Sequence, residues 1–167
     1  MNPSYKILAI DPGNMESGYV LMDSTYKPLE FGKVENLRLM DMFLNMNPDY
    51  VVIEMISHYG TGMAAGASVF DTCVWIGRFT QYFYAEGLVA HRLMRAKVKI
   101  ALCGSMKAKD ANVTQALVDR FAPNEPNMGK GKKKSPGWFY GFAKDVWQAY
   151  ALGVVFIDFL KEKEGTK

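Results

Sequence analysis

Hydrophobic positions along this chain gather into short dense runs and longer spaced stripes, and the alternation of the two predicts its elements. Tyr5 to Asp11 (YKILAID) is a short apolar run that stops at Pro12-Gly13, and Ser17 to Asp23 (SGYVLMD) resumes it, the pattern of two strands in a hairpin. After a break at Pro28, Phe31 to Glu35 supplies a third strand. Leu37 to Met46 has helical spacing with Leu37, Met40 and Leu44 on one side, and Asn47-Pro48-Asp49 ends it. Tyr50 to Glu54 (YVVIE) is β-branched and apolar, the composition of a strand buried on both faces.

Ala64 to Ala85 is long and apolar, with Val69, Cys73, Ile76, Phe79 and Phe83 at helical spacing and Glu86-Gly87 at its end; it reads as the central helix. Leu88 to Leu93 reads as a further strand, Lys109 to Phe121 as an amphipathic helix and Asp145 to Leu160 as a final apolar one. Between the last two, Ala122 to Phe142 is rich in Pro, Gly, Asn and Lys, so it is expected to be a surface loop or flap that does not pack as core. A strand meander followed by alternating helices and strands predicts an α/β unit with a mixed sheet. With no internal repeat or linker, residues 1–167 are expected to form a single domain.

Composition narrows the class. The 167 residues are 49% hydrophobic and 22% charged, which excludes a disordered chain and suffices for a core without disulfides or structural metal. No apolar run approaches the roughly 18 residues of a membrane span and the N-terminus has no signal-peptide pattern, so a soluble protein of the cytoplasm, without a membrane partner, is expected. Cys73 and Cys103 lack the spacing of a disulfide framework or a zinc motif and read as reduced core residues. The net charge of +3 is mild, but Arg92, Arg95, Lys97, Lys99, Lys107 and Lys109 crowd one segment, and Lys130, Lys132, Lys133 and Lys134 another. That distribution suggests an anionic polymer as partner.

The candidate chemistry lies in three acids. Asp11 closes the first strand, Glu54 closes the YVVIE strand, and Asp145 stands near the start of the last helix. If those two strands are neighbours, the three converge, and carboxylates brought together need a counter-charge such as magnesium with oxygen ligands. Two such ions about 3.5 to 4 Å apart would hold the attacking water and the leaving oxygen of a phosphodiester in line. Plainer readings stand beside this one: Asp11 before Pro-Gly as a turn former, and Asp145 as an acid favoured by the helix dipole. Glu54 is the stronger signal, because a Glu that turned inward unpaired after YVVI would cost several kcal/mol of desolvation.

ILAIDPGNMESGYVLMD resembles the first two strands of the RuvC family of Holliday junction resolvases, and DYVVIEMISHYG resembles that family's fourth-strand element. The likeness continues through the long helix, through RAKVKIALCGSMKAKDANV and into KDVWQAYALGV, so it spans nearly the whole chain. It implies a ribonuclease H-like α/β fold with a mixed five-stranded sheet flanked by helices, and a homodimeric endodeoxyribonuclease that nicks four-way junctions with magnesium, for which manganese can substitute. Asp11, Glu54 and Asp145 match the first three acids of the family. The fourth position departs from the pattern: Gln148 stands where relatives carry Asp or His, and its amide oxygen can coordinate but brings no charge. Lys99 and Lys109 match lysines that in relatives lie near the scissile phosphate, where an ammonium stabilises developing charge. A compact stand-alone form points to a bacteriophage member acting in the host cytoplasm.

Several positions have a DNA-contacting reading. Ser57-His58-Tyr59 follows Glu54 where relatives present an aromatic that stacks on bases at the junction centre, with Tyr59 first and His58 second as candidates. Arg95, Lys97 and Lys107 read as contacts to the phosphate backbone, and so do Lys130, Lys132, Lys133 and Lys134. The last four stand beside Trp138, Phe139 and Tyr140, aromatics that either stack on unpaired bases or anchor the loop to the core. Lys99 and Lys109 have a plainer reading as solvated helix faces, and Tyr59 as a cover for the sheet. Two other function classes remain open: a branched-DNA-binding protein without efficient cutting, which Gln148 makes thinkable, and an actin-like phosphate binder, weakened by the lack of a second Gly-rich loop.

Overall fold

A computed structural model describes residues 4–56 and 66–165. Five strands form one mixed sheet in the order β3-β2-β1-β4-β5. Strands β1 (Lys6–Asp11), β2 (Glu16–Asp23) and β3 (Pro28–Glu35) run as an antiparallel meander. Strands β4 (Tyr50–Met55) and β5 (Ala90–Met94) add in parallel beside β1. The predicted mixed five-stranded α/β sheet is therefore present. β3 starts three residues earlier than expected, because a Pro is tolerated at the first residue of an edge strand.

Helices cover both faces of the sheet. On one side α1 (Asn36–Met46) and α2 (Ala67–Ala85) pack over Leu8, Ile10, Val51 and Ile53. On the other, α3 (Arg95–Cys103), α4 (Asp110–Phe121) and α5 (Lys144–Gly165) pack over Ile7, Ala9 and Val52. The alternation of strand side chains feeds the two cores from one YKILAID and one YVVIE sequence. α5 crosses the sheet closely: a Cβ on Gly153 would meet Met22 Sδ and stand 3.2 Å from Ala9 Cβ. Among the described residues, no helix is long and apolar enough to cross a membrane.

Three expectations need correction, and one helix was not foreseen. α1 buries Leu39, Phe43 and Met46, while Leu37 and Leu44 face solvent. LRLMDMFLNM carries two apolar stripes at helical spacing, and the one bearing the larger Phe43 turns to the sheet. Cys73 is exposed, because α2 buries only Ile76, Phe79 and Phe83 and presents Phe70 and Val74 to solvent, 63% and 61% exposed, whereas Cys103 on α3 is half-buried against the core. RAKVKIALC forms a helix that its lysine-rich text conceals, held to the core by Val98 alone among its fully buried residues.

The segment 122–142 is the third correction. It projects a small hairpin, β6 (Gly131–Lys132) and β7 (Ser135–Pro136), yet Ala122, Phe139 and Phe142 are core residues. The Trp138 indole donates to the Tyr150 hydroxyl at 3.0 Å, and the Phe139 ring lies 4.6 Å from that of Trp147. Trp138 and Phe139 thus anchor the loop on α5, and Tyr140 is the exposed aromatic of the three.

Candidate active site

The site grows out of strand register. Ile10 pairs with Ile53, which sets Asp11 and Glu54 at one level on neighbouring parallel strands. Both follow Ala9 and Val52 by two residues, so both side chains emerge on the α5 face, just past the last buried pair. On the other side Asp11 pairs with Gly18, and Gly18 with Lys33. Lys33, Gly18, Asp11 and Glu54 therefore form one transverse row.

Asp145, at the start of α5, descends onto this row at Gly18. A Cβ there would stand 2.7 Å from Asp145 Cβ, so the missing side chain is what admits the helix end. The β1–β2 turn is pinned from behind by a buried polar pair. Ser17 Oγ donates to Asn36 Oδ1 at 2.6 Å, Gly13 N donates to Ser17 Oγ at 3.2 Å, and Asn36 Nδ2 donates to the Gly13 carbonyl at 3.0 Å. Satisfied on all these sides, Ser17 and Asn36 hold the turn that follows Asp11.

Electrostatics divide the acids. The Asp11 carboxylate accepts no hydrogen bond from the side chain of any described residue. Its carboxyl is pushed up to about 7, by burial first and then by the charges of Glu54, Asp145 and Asp110, with Arg95 opposing. Glu54 is likewise raised by burial, against the pull of Arg95 and Lys99. Asp145 accepts from Lys33 Nζ at 2.7 Å. Arg95 donates to both Glu54 oxygens at 3.1 Å and to Asp110 Oδ1 at 2.6 Å. A pocket of about 310 Å³ opens above, lined by Asp11, Pro12, Gly13, Glu16, Lys33 and Asp145 among others.

Buried carboxylates with a raised central member suit a hard dication with oxygen ligands. As placed, no three His, Cys, Asp or Glu groups among the described residues stand ready to share one ion. Two of the three acids are instead ion-paired, Asp145 with Lys33 and Glu54 with Arg95.

Other candidate positions divide as follows. Gln148 lies half-buried one turn after Asp145 on α5, its amide without a hydrogen bond among the described residues. Lys99 is half-buried on α3, one turn beyond Arg95, and its charge acts on Glu54. Lys109 is exposed at the N-cap of α4, while Lys97 and Lys107 are exposed nearby. Lys132, Lys133 and Lys134 are exposed at the tip of the small hairpin, with Lys130 half-buried at its base. His58 and Tyr59 lie outside the described residues.

Three charged residues at the site escaped the sequence reading: Lys33, Asp110 and the internal role of Arg95. Lys33 stands in a half-polar edge strand and carries no motif. Asp110 had one available signal, an acid in the first turn of a helix beside Lys109.

This order of strands, with acids at the ends of two neighbouring parallel strands, defines an α/β fold of the ribonuclease H-like class. Solved structures share it, among them two of RuvC. The structure of Thermus thermophilus RuvC matches with a TM-score of 0.66 at 15% identity, over 95% of this chain and 96% of that one. T. thermophilus RuvC in complex with Holliday junction substrate matches with a TM-score of 0.63 at 15% identity, over 89% and 90%. No protein-family model matches the sequence, and no curated protein does.

Proposed function

We propose that this protein is a single-domain, magnesium-dependent endodeoxyribonuclease that nicks Holliday junctions and related branched DNA. The observation that carries the reading is the register that sets Asp11 and Glu54 side by side on neighbouring strands, with Asp145 at the start of α5 against Gly18, in a RuvC-like fold. The RuvC neighbour solved with a Holliday junction substrate supports the substrate class.

In this reading Asp11, Glu54 and Asp145 hold the metal, and Gln148 adds a neutral oxygen from the same face of α5. Magnesium, when bound, would polarise the phosphate and activate the attacking water. Asp11, buried and raised by Glu54 and Asp145, stands at the centre of the row, where a dication would supply the counter-charge that these acids lack. Lys99 and Lys109 steady the charge that develops on the phosphate. The hairpin lysines and Lys97 and Lys107 grip the backbone without reading sequence.

A homodimer fits the cutting of two opposed strands, which calls for two sites about a twofold axis. The exposed apolar face of α2, with Phe70 and Val74, supports that assembly.

A synthetic four-way junction and a linear duplex, each with and without magnesium, test the proposal. Junction cutting that needs magnesium and vanishes in Asp11→Asn is expected. Tight junction binding without cutting under any metal would instead mark a noncatalytic branched-DNA binder.

A further inference from the structure

Each outer acid of the site is held by a cation that has a second acid within reach. Lys33 lies 2.7 Å from Asp145 and 4.0 Å from Glu16. Arg95 is the firmer bridge. One nitrogen donates to both Glu54 oxygens and the other to Asp110, and the Asp110 contact is the shortest of the three. The three side chains differ in exposure: Glu54 13%, Arg95 23% and Asp110 63%. The guanidinium thus sits at the border of the site, one edge on a buried acid and the other on an accessible one.

This arrangement poses a competition. With both Glu54 oxygens accepting from Arg95, a dication competes with that contact for them. A half-buried guanidinium stripped of its partner is strongly disfavoured, which would set the displacement against metal binding. Asp110 would offset that penalty, because its contact with Arg95 uses the other guanidinium nitrogen from the one that faces Glu54. A planar guanidinium with two usable edges is suited to such sharing, whereas a lysine ammonium is not.

Resting on the metal-dependent reading above, we propose that Arg95 is the exchangeable counter-charge of the metal-free site and Asp110 its positioning residue, retaining the guanidinium when a divalent cation takes Glu54. Asp110 is also the first residue of α4, directly after Lys109. Exchange at Glu54 is thereby coupled to the helix end that carries Lys109.

Magnesium and manganese binding to the DNA-free protein, measured by calorimetry, tests the assignment in a double-mutant cycle. Asp110→Asn is expected to weaken metal binding about fivefold or more, and Arg95→Gln to strengthen it. In the Arg95→Gln background the Asp110→Asn effect should vanish, because Asp110 acts through the arginine. Equal Asp110→Asn effects in both backgrounds would mean that its charge acts directly on the metal, and the inference falls. Arg95→Lys replaces Arg95→Gln where the latter does not fold; it keeps the charge without the fork, and the Asp110→Asn effect should shrink there as well. A wild type that binds neither metal overturns the functional reading together with this one, whereas metal binding with additive effects overturns this one alone.

Discussion

Gly18 on β2 and Asp145 at the start of α5 touch so closely that a methyl group on Gly18 would come within 2.7 Å of Asp145 Cβ and 2.8 Å of its carbonyl oxygen. Neither atom is the end of a flexible side chain, so the helix start itself would have to move. Gly18→Ala is therefore expected to cost about 1 to 3 kcal/mol and to weaken metal binding by lifting Asp145 from the row. Gly32→Ala, where the nearest atom is 3.4 Å away on the Tyr19 ring, is the milder comparison. Urea melts of both variants check the difference; equal stability for the two would contradict it.

Asp158 ties α5 to α4 and to the β2–β3 turn. It accepts from both terminal nitrogens of Arg120, at 2.7 and 2.8 Å, and from the Tyr26 hydroxyl at 2.7 Å. Burial alone would raise this carboxyl, but the hydrogen bonds from Arg120 and Tyr26 prevail and hold it below its ordinary value. A depressed folded value means stability that is fully present above the unfolded pKa, near 3.9, and lost as pH falls through the folded one. Asp158→Asn should lose about 1 to 2 kcal/mol at pH 7. The gap between variant and wild type should close below pH 4, as thermal melts across that range would record.

Lys132, Lys133 and Lys134 occupy the exposed tip of a hairpin whose base is anchored by Trp138 and Phe139. Changing all three to alanine should leave the melting temperature unchanged, since none contributes to the core. Junction affinity should fall, and the slope of log affinity against log salt should flatten by roughly 0.9 for each phosphate contact removed. An unaltered salt slope would exclude the hairpin from the DNA interface.

Gln148 lies one helical turn from Asp145, where a charged ligand would complete the site. Gln148→Asp is expected to lower the magnesium concentration needed for half-maximal cutting, because a carboxylate binds a hard dication more strongly than an amide does. Identical magnesium dependence in variant and wild type would remove Gln148 from the metal shell.

Legibility in the sequence followed the strength of local patterning. YKILAID and YVVIE are dense, β-branched and bounded by turn residues, and both became central strands with their acids at the ends. The α1 face misled because LRLMDMFLNM offers two apolar stripes, and only contact with the sheet chooses Phe43 over Leu44. Phe139 and Phe142 were hidden in a Pro- and Gly-rich segment whose composition resembles a solvated loop, although their rings close the core against Trp147 and Tyr150. Arg95 looked like one of a run of basic residues, and nothing in that run distinguishes a phosphate contact from an internal ion pair.

The sequence by itself determined the α/β class, the two central strands, and the presence of acids at their ends. These depend on side-chain period and turn chemistry, which act between residues a few positions apart. Tertiary structure decided which charges meet: Lys33 with Asp145, and Arg95 with both Glu54 and Asp110. Those pairings join residues 15 positions or more apart, and they arise only once strand register and the close approach at Gly18 bring distant segments together in a partly desolvated site, where unpaired charge is costly.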